Sequence, residues 1–160
     1  MKIAGQEIDT SPNTELIVIP RSGKQPIVMT AQAVLDFDEF DALCPKPVAK
    51  YLTKKGGKKE LDITDKSYIA STQDFAKKQT YYMFVKSLLL GTPGLEFNLI
   101  KLDVPDSWLL FEKEFRQSGF SPGEINYILN KIMDANTLNE AKIDAARASF
   151  TRSQEEPQSE

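Results

Sequence analysis

The chain has 160 residues, 41% of them apolar and 27% charged, which suits one compact domain and argues against wholesale disorder. Its 20 basic and 23 acidic residues leave a formal charge of −3, against nucleic acid as the main partner, because phosphate binding requires an excess of Lys and Arg. There is no histidine, which removes the commonest general base and metal ligand together, and the single Cys44 excludes an internal disulfide or a cysteine-based zinc site.

The N-terminal residues MKIAGQEIDTSPN lack the apolar core of a signal peptide, and no run approaches the ~20 apolar residues of a membrane span. A cytoplasmic protein with no membrane partner is expected. Met1 to Ile8 alternates around Gly5 and predicts a tight hairpin. Glu15-Leu16-Ile17-Val18-Ile19-Pro20 and Pro26-Ile27-Val28-Met29-Thr30 are β-rich runs separated by Arg21 to Gln25. They predict an antiparallel hairpin with a turn of about five residues and prolines suited to a sheet edge. Asp36 to Leu43 predicts a short helix with Phe37, Phe40 and Leu43 on one face, stopped by Pro45 and Pro47. Its acidic residues read as a solvated face. Cys44, with no base nearby, reads as a buried small apolar side chain.

Residues 46–66 carry the only concentrated positive charge. Lys54, Lys55, Lys58 and Lys59 flank Gly56-Gly57, as at the tip of a hairpin from Tyr51-Leu52-Thr53 to Leu61-Asp62-Ile63. The phosphate-loop pattern is absent, since no glycine stands five residues before the Gly-Lys and no Ser or Thr follows it. The lysines are candidates for docking on an acidic partner surface. Tyr68 to Leu90 predicts the longest helix, ending at Gly91-Thr92-Pro93-Gly94, and Tyr81 to Val85 is apolar nearly all round, so that end should be covered on more than one side. Tyr81 and Phe84 are therefore candidate partner-binding residues, as is Trp108.

Leu95 to Ile100 alternates like a half-buried strand, with a loop edge as the alternative. Pro105-Asp106-Ser107-Trp108 opens a helix with Asp106 or Ser107 as cap and Trp108, Phe111 and Phe115 on one face. Gly119-Phe120 has the form of a Schellman stop in which Phe120 meets Phe115. Ser121-Pro122-Gly123-Glu124 is a capping box with proline at the first helical position, followed by Ile125, Ile128, Leu129, Ile132 and Met133 on one stripe. Thr137 to Glu140 repeats the box and opens a last helix to Phe150, and residues 151–160 read as a disordered tail. The fold class expected is α+β: N-terminal antiparallel β-hairpins (residues 1–45), a basic Gly-Gly loop or hairpin (46–66), then a mainly helical part of about four helices (67–150) packed with the strands as one domain.

No nucleophile–base pairing, GxSxG or GxGxxG is present, and neither a cofactor nor a catalytic residue is expected. From about Tyr68 onward the chain resembles the tail assembly chaperones of long-tailed bacteriophages. The residues that carry the likeness are Tyr81 to Leu88, Leu102 to Trp108, Gly119 to Ile125, Ala135 to Leu138 and Ala145 to Phe150. Leu16 to Arg21, Phe37 to Phe40 and Cys44-Pro45 extend it over most of the chain. The resemblance implies a non-enzymatic protein of the infected bacterial cytoplasm. It would hold the helical, aggregation-prone tape measure protein, or the tail tube protein, while the tube polymerises, and such proteins are often made in two forms by a ribosomal frameshift. Self-association is a further expected contact. The alternatives are a minor virion component, such as a tail or connector subunit, and a phage protein that binds a host or defence factor.

Overall fold

The computed structural model describes residues 2–138 and 142–148. Two hairpins lead. β1 (Lys2–Ile3) and β2 (Gln6–Glu7) turn tightly at Ala4 and Gly5, both with positive φ. β3 (Thr14–Arg21) and β4 (Lys24–Gln32) form the longer antiparallel pair. Its turn is only Ser22-Gly23, tighter than the five residues expected, because Arg21 and Lys24 still pair. Between Ile19 and Arg21 the register slips, so Gln25 and Pro26 oppose the single Pro20. A bulge there lets two residues without an N–H sit in a hairpin without losing a ladder bond.

The other elements are α1 (Asp38–Leu43), β5 (Tyr51–Thr53) paired with β6 (Lys59–Leu61), α2 (Lys66–Gly91), α3 (Pro105–Trp108), α4 (Phe111–Gln117) and α5 (Pro122–Asn136). Residues 142–148 are also helical. The molecule is thus α+β, with N-terminal hairpins followed by a mainly helical region. α2 lies under β4 and α5 under β3, and the inward face of the hairpin, Ile17, Ile19, Met29 and Ala31, closes over them. Phe40, Tyr82 and Trp108 meet at ring separations of 5.0–5.9 Å and join this layer to α1 and α3. On its other side α2 meets α4 through Phe84 and Phe111. The all-round apolar stretch from Tyr81 to Val85 is covered from both sides, as its composition predicts.

The turn chemistry of the C-terminal half follows its residues closely. Phe120 N–H donates to Phe115 C=O at 3.0 Å and Gly119 N–H to Arg116 C=O at 3.1 Å, with Gly119 at φ 87°. This is the Schellman pair, and the Phe115 and Phe120 rings stand 5.1 Å apart. At α5, Glu124 N–H donates to Ser121 Oγ while Ser121 N–H donates to Glu124 Oε2, the reciprocal capping box.

Three expectations are corrected. Leu95 to Ile100 is a loop, not a strand, because its amides are taken by a side chain: the buried Glu114 carboxylate accepts Asn98 N–H at 2.9 Å and Leu99 N–H at 2.6 Å. Neither Asp106 nor Ser107 caps α3. Pro105 sits in its first turn, where no N–H is missed, and Ser107 Oγ instead donates toward the Val104 and Lys101 carbonyls while accepting Lys101 N–H. The helix expected through Trp108 and Phe115 is split in two at Leu109-Leu110. The second capping box reaches residues 139 and 140, which lie outside the described residues, as do Phe150 and the expected tail. Thr137 Oγ1 donates to Met133 C=O, closing α5.

Candidate functional site

The segment between α1 and α2 stands apart from this core. β5 and β6 pair Tyr51 with Leu61, Leu52 with Glu60 and Thr53 with Lys59, and every residue of both strands is exposed. The pairing begins two residues earlier than the composition suggested, so Lys59 belongs to a strand and the tip is residues 54–58. Lys54 N–H donates to Lys58 C=O and Gly57 N–H to Lys54 C=O, while Gly56 and Gly57 take the positive φ values that such a tip needs. Lys54 pairs with Glu60 across the strands. Lys55, Lys58 and Lys59 are exposed.

The arm combines two chemistries. Residues 46–66 hold seven lysines against three acidic residues, a net +4, which leaves −7 for the rest of a chain whose total is −3. Interleaved with the lysines are Val48, 85% exposed, Tyr51, 60%, and Leu61, 43%. A lone two-stranded hairpin is marginal in water. Among the described residues no apolar layer lies beneath this one, so its aliphatic and aromatic side chains are presented to whatever approaches.

Two anchors hold the arm at its root. Lys50 Nζ reaches Ser67 Oγ at 2.8 Å and Asp65 Oδ2 at 3.3 Å. Asp65 caps α2 by accepting Tyr68 N–H at 2.7 Å, and that bond, then Ser67 and Lys50, hold its carboxyl below the usual range. The first turns of α2, Lys66 to Asp74, are almost wholly exposed beside the arm. The helix is 26 residues, roughly 39 Å, and its fully buried residues all lie in its second half, with Phe75 reaching Phe40 from the first.

Beside the root lies a cleft of about 480 Å³ that includes Cys44, Asp74, Lys78 and Asp106. Lys78 Nζ sits 2.8 Å from Asp106 and 2.9 Å from Asp74, and these two carboxylates, Asp106 first, raise its pKa so that it stays a cation. Burial pushes the Cys44 thiol up as well. A permanently charged amine and a suppressed thiolate are poor nucleophiles and poor bases. Among the described residues no group of three or more Cys, Asp or Glu is placed to hold a metal ion, and no helix is long and apolar enough to cross a membrane.

The aromatic candidates part company. Trp108 is 0% exposed, with Nε1–H donating to Leu102 C=O at 3.2 Å, and Phe84 is buried against Tyr81 and Phe111. Neither presents a surface to a partner in this conformation, since a ring large enough to anchor an interface anchors a core equally well. Tyr81 is half-buried and donates to Glu112 Oε1 at 3.1 Å; burial first, then that carboxylate, raise its pKa. Only the four lysines of the candidate set lie together on one exposed feature.

A second exposed surface had a legible signal in the sequence. Leu16-Ile17-Val18-Ile19 is apolar at four successive positions, and a strand with one buried face should alternate. Ile17 and Ile19 face the core. Leu16, Val18 and the facing Val28 point outward and are exposed. No protein-family model matches the chain, and no curated protein or solved structure is similar to it at a significant level.

Proposed function

We propose that this chain is a non-enzymatic binding protein, a phage tail assembly chaperone that holds the tape measure protein, or the tail tube protein, in the host bacterial cytoplasm during tail morphogenesis. The reading rests on the resemblance from Tyr68 onward together with one observation: an arm of apolar and basic side chains whose strands are exposed throughout. Tape measure protein is helical. An amphipathic helix lying along the arm and the exposed first turns of α2 would cover Tyr51, Leu61 and Ile63 with its apolar stripe. The lysines at the tip would meet acidic residues at the stripe's margin.

Co-expression with the tape measure protein of the same genome is the test. Tape measure protein should become soluble and co-purify with the wild-type chain, and a variant with Lys54, Lys55, Lys58 and Lys59 all replaced by Glu should lose most of that yield while remaining folded. No gain in solubility together with no co-purification would sink the proposal. Abundant copies in purified virions would replace it with a structural role, and toxicity on expression in the host alone would point to a host factor.

A further inference from the structure

The two edges of the β3–β4 hairpin are treated differently. Ala33 N–H donates to Asn13 C=O, which places the odd-numbered residues of β3 in the bonded pairs with β4. The even-numbered residues of both strands therefore turn their N–H and C=O groups away from the hairpin. On the β4 side several of these groups meet side chains. Thr92 Oγ1 accepts Thr30 N–H and donates to Thr30 C=O, both at 2.9 Å. Ser87 Oγ donates to Gln32 C=O at 2.7 Å, and Asn136 Oδ1 accepts Val34 N–H at 2.8 Å. Val28 and the Gln32 N–H have no such partner among the described residues, and Pro26, with no N–H, breaks the edge beyond Val28.

The β3 side has no such cover. Thr14, Leu16 and Val18 direct three N–H and three C=O groups outward, and no hydrogen bond from the described residues reaches them. An open edge is a template for another strand, and proteins usually blunt it with charge or proline. Here the outward-facing side chains from Thr14 to Val18 carry no charge, and Pro20 interrupts only the far end.

We propose that this edge pairs with the same edge of a second copy, making a two-fold antiparallel β3–β3 junction and a continuous four-stranded sheet. Centring the two-fold on Leu16 places it opposite Leu16 of the second copy, and Thr14 opposite Val18. All three become bonded pairs, so six backbone hydrogen bonds form and every open group between Thr14 and Val18 is satisfied. On the inward face Glu15 falls opposite Ile17, so no like charges meet, and Glu15 keeps its own Lys142 and Lys131 at 3.1 and 3.2 Å. The interface is self-complementary, as a two-fold contact requires. This inference is independent of the chaperone reading.

The test is the mass of the full chain by sedimentation equilibrium from micromolar to near-millimolar concentration, with amide exchange alongside. The mass should rise from 18.0 kDa toward twice that value. Exchange at Thr14, Leu16 and Val18 should slow by about tenfold or more over the same range, while Met29, already in the ladder, is unchanged. Leu16→Lys and Leu16→Glu each place like charges on the two-fold and should each weaken the dimer by about tenfold, and an equal mixture of the two should restore it. Leu16 is exposed in the monomer, so both variants should unfold at the wild-type urea midpoint. A mass of 18.0 kDa at every concentration, or a dimer indifferent to Leu16→Lys, overturns the proposal. So does a monomer that binds tape measure protein and loses it on Leu16→Lys, which would give the edge to that partner.

Discussion

Replacing Glu114 isolates the bond set that makes residues 95–100 a loop. The side chain rises from the first turn of α4, is 5% exposed, and among the described residues no cation is paired with it. Its partners are Asn98 N–H at 2.9 Å, Leu99 N–H at 2.6 Å and Asn98 Nδ2 at 3.3 Å. Glu114→Ala strands two part-buried backbone donors, each costing about 1–3 kcal/mol, and removes the carboxylate's own desolvation cost, so a net loss of about 2–5 kcal/mol is expected. For a chain of this size that is a fall in Tm of roughly 4–20 °C. Glu114→Gln keeps one acceptor oxygen but turns an NH2 toward the second amide, so its loss should be intermediate, about 1–3 kcal/mol. Urea unfolding of the three proteins with a common m-value measures both differences. A loss below about 1 kcal/mol for Glu114→Ala, or a larger loss for Gln than for Ala, would refute the idea that this carboxylate replaces a strand partner.

At the junction of α2 and β4, Gly91→Ala would put a Cβ 2.2 Å from Thr30 C=O, a backbone atom that cannot rotate away. A loss of about 1–3 kcal/mol in urea unfolding is expected, with Ser at the same position no better. Trp108→Ala should cost about 3–5 kcal/mol by the same measurement, whereas each arm-tip lysine changed to Glu should stay within about 0.5 kcal/mol. Acid stability should follow Glu39 and Glu15. Lys86, at 2.5 Å, and then Tyr82, at 2.9 Å, hold Glu39 below its ordinary pKa of about 4.5. Burial alone would raise Glu15, but Lys142 and Lys131 outweigh it and hold it down. Carboxylates depressed by folding add stability above their unfolded pKa and lose it as pH falls through the folded value. The urea midpoint should therefore be flat near neutrality and drop below about pH 4.5, with a smaller drop in Lys86→Met.

The legible parts of this chain were those where a local pattern closes on itself. Ser121 to Glu124 and Phe115 to Phe120 each contain both partners of their hydrogen bonds, so spacing alone determined a cap and a stop. Ile125, Ile128 and Ile132 of the α5 stripe and the two-sided burial of Tyr81 to Val85 followed from helical period and composition, whereas Met133, on the same predicted stripe, is exposed. The paired strands followed from β-branched runs around a glycine turn, and the lysine cluster from simple charge counting. Tertiary contacts decided the rest. Glu114, about fifteen residues away, took the amides of Asn98 and Leu99 and cancelled a strand that alternation favoured. Trp108 went to the core because Phe40 and Tyr82 arrive from two other elements to enclose it. Which edge of the hairpin stays open depends on Thr92, Ser87 and Asn136, residues whose approach to β4 no periodicity encodes. Local order is written in neighbouring residues; a surface is what remains after distant ones have met.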